Sequence, residues 1–72
     1  MFPNLRAEIS RRGLKNMDVA AAANISQGHF SLKLNGKYDF SLTEAIAIKK
    51  FLDVQAPIEE LFAKTLDDEE AN

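Results

Sequence analysis

Residues 16–37, NMDVAAAANISQGHFSLKLNGK, decide the fold. The alanine run and the early acidic residue predict a short helix over residues 16–23, which Asn16 caps. Ser26 is a favourable N-cap for a second helix from Gln27 to about residue 34. Asn24 tolerates the left-handed backbone that a tight connection between the two helices requires. Two helices joined in this way form the unit with which many proteins place one helix in the DNA major groove.

Apolar residues four positions apart mark the buried side of each of these helices. Val19 and Ala23 have this spacing in the first helix, and Phe30 and Leu34 have it in the second. Ala20 and Ala23 are small enough for the second helix to cross closely over the first. The segment therefore predicts a helix-turn-helix with a shared apolar core.

A helix before this unit contributes to the same core. Pro3 suits the first turn of a helix over residues 4–12, in which Leu5 and Ile9 lie four apart. Gly13 follows as a C-terminal stop. The N-terminal segment thus predicts an amphipathic helix that packs against the helix-turn-helix.

Two more helices are predicted after it. Ser41 and Glu44 have the spacing of a capping box, which starts a fourth helix. Pro57 fits the first position of a short fifth helix. The apolar residues predicted to cover the core are Leu42, Ala45, Ile48, Leu52, Leu61 and Phe62. The sequence therefore predicts an all-α domain of five helices.

The length and composition limit the kind of protein this is. Seventy-two residues make one small domain, predicted to span residues 1–64. With no cysteine and only His29, the chain offers neither disulfides nor a zinc ligand set, and we expect no metal or other cofactor. We expect no enzyme either, because no phosphate-binding glycine loop or catalytic cluster is present. With no leader peptide or bilayer-length apolar run, the expected location is the cytoplasm.

The charges are unevenly distributed along the chain. The formal net charge is −2, and four of the eleven acidic residues lie within residues 67–70. Residues 1–66 carry nine basic and seven acidic side chains. We therefore predict a mildly positive body and an acidic, disordered tail over residues 65–72. Such a body permits contact with DNA without requiring it, since dedicated DNA-binding domains are usually more basic.

The joint spacing of these features resembles the repressor and Cro-type helix-turn-helix family of phages and bacteria, over about residues 5–62. The resemblance implies a lambda-repressor-like fold with the helix-turn-helix at helices 2 and 3. The segments FPNLRAEI, KLNGKYDFSLTE and PIEELF are similar to small proteins encoded beside the main repressor in temperate phages of Gram-positive bacteria. The residues that carry the family match are Leu5, Ile9, Gly13, Leu14, Val19, Ala20, Ile25, Ser26, Phe30, Ser31, Leu34, Asn35, Gly36, Ser41, Leu42 and residues 58–62.

The resemblance also implies roles at individual positions. Gln27 and His29 lie on the recognition helix, where they would contact adenine and guanine edges. Lys33 and Lys37 would hold phosphates and set the register. Asn16 and Asn35 match positions at which family members contact the DNA backbone.

The chain departs from the family pattern where the recognition helix should face DNA. Gly28 has no side chain, and Leu32 replaces a residue that is usually polar or basic. With Ala21 and Ala22 predicted to face outward, these positions favour a smooth surface for a protein partner. Alternatively, Leu32 packs against Tyr38 or the end of the fourth helix.

Two functions follow as hypotheses. The first is a regulator of a phage lysis or lysogeny switch that binds the lysogenic repressor in the bacterial host and modulates its operator binding. Its predicted contact residues are Ala21, Gly28 and Leu32, and its own contact with DNA is secondary. The alternative is an autonomous Cro-like repressor that binds operator DNA as a dimer.

Overall fold

The computed structural model describes residues 1–64, and the predicted acidic tail lies outside them. The described part contains five helices and no strand, which confirms the all-α prediction. The helices are α1 (Pro3–Arg11), α2 (Asn16–Ala22), α3 (Gln27–Leu34), α4 (Leu42–Leu52) and α5 (Ile58–Leu61). α2 packs against α3 and α4, and α5 packs against α1 and α4.

The start of α2 differs from the prediction. Lys15, with extended backbone, is the N-cap residue, and its N–H donates to Asp18 Oδ2 at 3.0 Å. Asn16 is already the first helical residue, so the prediction that it caps α2 is wrong. Asp18 therefore stabilises this end of the helix both by its charge and by that hydrogen bond.

The turn and α3 follow the prediction closely. Asn24 has φ 60°, in the left-handed region. Ser26 is the N-cap of α3, and its hydroxyl accepts a hydrogen bond from the His29 N–H at 3.1 Å. α3 ends at Leu34, so the sequence located the whole helix.

A single apolar core holds the helices together. The predicted pairs Leu5 with Ile9 and Phe30 with Leu34 are all buried. Val19, Ala20 and Ala23 are also buried, on the side of α2 that the four-residue spacing indicated. The most completely buried large side chains are Phe30, Leu5, Ile48, Leu52, Leu61 and Val19.

Four phenylalanines form an aromatic cluster at one end of this core. The Phe40 ring centroid lies 5.3 Å from that of Phe2, 5.2 Å from that of Phe62 and 5.8 Å from that of Phe30. Phe2 precedes α1 with φ 56°, and its side chain is buried. This conformation turns the N-terminal segment so that its ring covers the core beside Phe40.

Three positions correct the sequence interpretation. Leu42, predicted to be in the core, is 69% exposed, and near the start of α4 it is Phe40, two residues earlier, whose ring packs against Phe2 and Phe62. It lines a cleft of about 500 Å³ beside the aromatic cluster. Ala22 is half-buried instead of facing outward. Pro57 is the N-cap of α5 and not its first helical residue.

Replacing Gly36 by alanine is expected to destabilise the fold more than replacing Gly13. Both glycines have positive φ, 86° and 66°, which costs an alanine about 1–2 kcal/mol. A Cβ at Gly36 would also lie 2.5 Å from Met1 Sδ, so the end of the flexible Met1 side chain would have to shift from its place against the core at a small added cost, whereas a Cβ at Gly13 would meet nothing within 4 Å. Urea unfolding followed by circular dichroism measures the difference. Equal losses would show that the Met1 side chain moves aside freely.

Candidate interaction surface of helices 2 and 3

The outer face of α3 is centred on Leu32. Leu32 lies two residues from both Phe30 and Leu34, so at 3.6 residues per turn it points away from the core that they enter. It is 40% exposed, as predicted for this position. Gly28, one turn earlier, is also exposed, and a Cβ built on it would meet no atom within 4 Å. The surface of the helix at Gly28 and Leu32 is therefore apolar, nearly flat and accessible to a partner.

An aromatic pair borders this face. The rings of His29 and Tyr38 are 5.9 Å apart and nearly perpendicular. Tyr38 follows α3 in the chain and is 56% exposed. Its hydroxyl gives it a polar end beside its apolar ring, as is common at protein interfaces.

Lys33 lies beside this face but is held within the domain. Its Nζ is 2.6 Å from Glu44 Oε1, and the side chains of the two residues are only 13% and 19% exposed. The same oxygen accepts a hydrogen bond from the Ser41 N–H at 3.0 Å, and the Ser41 hydroxyl accepts one from the Glu44 N–H. The predicted capping box of α4 is thus confirmed, and its carboxylate also neutralises Lys33.

The environment of Glu44 shifts its pKa. Burial raises the pKa of the carboxyl, but the ammonium of Lys33 and the hydrogen bonds from Lys33 and Ser41 outweigh burial and hold it below its ordinary value of 4.5. A carboxyl with a lowered pKa in the folded state stabilises the fold above its unfolded pKa. That contribution is lost as the pH falls through about 4.5 and below.

We therefore expect the Glu44→Gln variant to lose less stability on acidification than the unmodified protein. The difference should develop as the pH falls through 4.5 and below, where the unfolded and then the folded carboxyl become protonated. Urea unfolding at several pH values measures it. Parallel pH profiles for the two proteins would contradict the assigned role of Glu44.

Polar side chains from α1 and α2 lie near the C-terminal end of α3. Arg6 of α1 donates to Asn35 Oδ1 at 2.9 Å and to the Leu34 carbonyl oxygen at 3.3 Å, and its Nε donates to the Met1 carbonyl oxygen. Asn16 lines a depression of about 270 Å³ together with Arg6 and Leu34. The structure thus brings Asn16 and Asn35 to the same region and adds Arg6 to it.

The remaining predicted contact residues are accessible but separately placed. Gln27 is exposed as the first residue of α3. Lys37 is exposed in the following loop, where its N–H donates to the Leu32 carbonyl oxygen at 2.9 Å. Ala21 is exposed on α2.

Sequence reasoning missed Arg6 and Glu44 as parts of the surface. Both lie on helices other than α2 and α3, and their partners are 28, 29 and 11 residues away in the chain. For Glu44 the available signal was a charge opposite to that of Lys33, but several other pairings had the same signal. Arg6 gave no such signal, because Asn35 and the carbonyl oxygens to which it donates are uncharged. The choice among them depends on how α1 and α4 pack against α3.

No helix within residues 1–64 is long and apolar enough to cross a membrane. Comparison of the chain with protein-family models, with curated proteins and with solved structures found no match.

Proposed function

We propose that this protein is a lambda-repressor-like helix-turn-helix regulator of a phage lysis or lysogeny switch, with α2 and α3 as its motif. It acts in the cytoplasm of the bacterial host by binding the lysogenic repressor, and it modulates or blocks the binding of that repressor to its operator. Contact with DNA is secondary. The element order and the tight turn between α2 and α3 support the family assignment.

The observation that carries the proposal is the exposure of Leu32 at the centre of the outer face of α3. Burying a leucine side chain contributes about 1.5–3 kcal/mol, whereas a leucine facing phosphates gains little. The open backbone at Gly28 allows close approach of a partner helix. Interfaces between proteins are depleted of charge at their centres, as this face is.

The ion pair at Lys33 also supports a protein partner. Affinity for DNA comes largely from cations that neutralise phosphates. Lys33, the cation on α3 itself, is paired with Glu44 within the domain. A phosphate would have to compete with that carboxylate.

One group of residues favours the alternative, an autonomous Cro-like repressor that binds operator DNA. Asn16 and Arg6 line the depression near the end of α3, and Arg6 donates a hydrogen bond to Asn35. Gln27 is exposed at the start of α3, where it is free to enter a groove. Polar groups so placed are suited to phosphate and base contacts. In this alternative the protein binds its operator without a partner.

Isothermal titration calorimetry with the full-length repressor tests the proposal. We expect a saturable complex, and we expect operator DNA added to the repressor beforehand to change the measured affinity, because a protein that modulates or blocks operator binding must bind the free and the operator-bound repressor with different affinities. Absence of heat at micromolar concentrations, with absence of a complex in gel filtration, would contradict it. The Gln27→Ala variant tests the alternative, because only an autonomous DNA-binding repressor requires the Gln27 side chain.

A further inference from the structure

The Lys33–Glu44 ion pair joins α3, which carries the candidate interaction surface, to α4. Lys33 is in the last turn of α3, and Glu44 is in the first turn of α4. The Nζ to Oε1 distance is 2.6 Å, and both side chains are more than four-fifths shielded from solvent. Pairs with such shielding are screened by salt much less than exposed pairs. The charge of Lys33 is therefore masked from approaching anions.

The other ion pairs of the described residues do not affect α3. Glu8 binds Arg11 and Arg12 along α1, and Lys64 binds Asp39 with both side chains more than half exposed. Only Glu44 contacts a cation of the candidate interaction surface within residues 1–64. A masking role for Glu44 is thus specific to its position and does not follow from the net charge.

We propose that Glu44 is a specificity-determining residue that suppresses DNA binding by α3. By holding Lys33 against α4, it removes a phosphate contact and leaves the apolar outer face as the main binding surface. The proposal rests on the proposed function, since it assumes that α3 is the helix presented to partners. It adds that the preference for protein over DNA depends on one intramolecular carboxylate.

Replacing Glu44 by glutamine tests the proposal, because glutamine removes the charge without loss of the helix cap. In the Glu44→Gln variant the side-chain amide oxygen can still accept from the Ser41 N–H, and glutamine is an accepted residue at this position of a capping box. The charge that neutralises Lys33 is lost. The flexible lysine side chain can then extend its ammonium into solvent.

Fluorescence anisotropy with a labelled duplex of arbitrary sequence, about three helical turns long, measures the effect over a series of salt concentrations. We expect Glu44→Gln to bind roughly tenfold more tightly than the unmodified protein at low salt, and the slope of log affinity against log salt to steepen by about 0.9, the value for one added phosphate contact. The control is Glu59→Gln, which makes the same change in net charge at an exposed position of α5. It should leave both quantities nearly unchanged.

A double variant shows whether the effect of Glu44→Gln on DNA binding depends on Lys33. Adding Lys33→Gln to Glu44→Gln should return the affinity and the slope to those of the unmodified protein. Equal behaviour of Glu44→Gln and Glu59→Gln, with both variants folded by circular dichroism, would overturn the proposal. So would a gain in Glu44→Gln that persists without Lys33. Repressor titrations of the unmodified protein test the proposed function separately, since they require no change in DNA binding.

Discussion

Leu32→Asp is expected to weaken binding to the lysogenic repressor by at least about 30-fold, because Leu32 is central on the outer face of α3. Burial of a leucine side chain in an interface typically contributes about 1.5–3 kcal/mol. The substitution removes the apolar contact and requires burial of a carboxylate. Calorimetry or biolayer interferometry with the repressor measures the loss.

The fold should tolerate this change, because Leu32 is exposed and makes no part of the buried core. We expect a loss of about 1 kcal/mol in unfolding free energy, from the lower helix propensity of aspartate and its position near the C-terminus of α3. Leu42→Asp is the matched control, an equally polar replacement of a leucine that is 69% exposed on α4. Binding that survives in Leu32→Asp, or is lost equally in Leu42→Asp, would contradict the assignment of the surface to α3.

Phe30→Ala is expected to unfold a large fraction of the protein. Phe30 is fully buried, and its ring lies against Phe40 of the aromatic cluster. Truncation of a buried phenylalanine typically costs about 3–5 kcal/mol. A domain of this length has little stability beyond that, because a small chain buries little apolar surface. Urea unfolding and the helical signal in circular dichroism measure the loss.

Phe51→Ala provides the comparison for this variant. Phe51 is 45% exposed on α4, so its truncation leaves no closed cavity and should cost about 1 kcal/mol. A Phe30→Ala protein as stable as Phe51→Ala would show that Phe30 is not the centre of the core. The two variants remove the same side chain and differ only in where it lies.

The helices of the domain were predictable from local signals. The four-residue spacing of Leu5 with Ile9 and of Phe30 with Leu34 identified buried faces, and Ser26 and Ser41 identified helix starts. These signals act over one or two turns of helix. They therefore depend little on how the rest of the chain packs.

Features that depend on packing between distant segments were not predictable in the same way. Leu42 continues the apolar stripe of α4, yet it is 69% exposed, and Phe40, two residues earlier, packs against Phe62 of the aromatic cluster. Phe2 enters the core through a left-handed backbone conformation that the sequence does not signal.

In the candidate surface, too, the features set by local structure were predictable and those set by packing between helices were not. The positions of Gly28 and Leu32 followed from helix spacing within α3. The contacts of Lys33 with Glu44 and of Asn35 with Arg6 required knowledge of how α1 and α4 pack on α3.

In the proposed function, this protein acts on a repressor more than on DNA. A gel shift on switch-region DNA, with this protein alone, the repressor alone and the two together, tests it most directly. We expect little retardation by this protein alone and a shift by the repressor that changes when both are present. Salt-sensitive retardation of the operator by this protein alone, with an unchanged repressor shift in the mixture, would contradict the claim and favour an autonomous DNA-binding repressor.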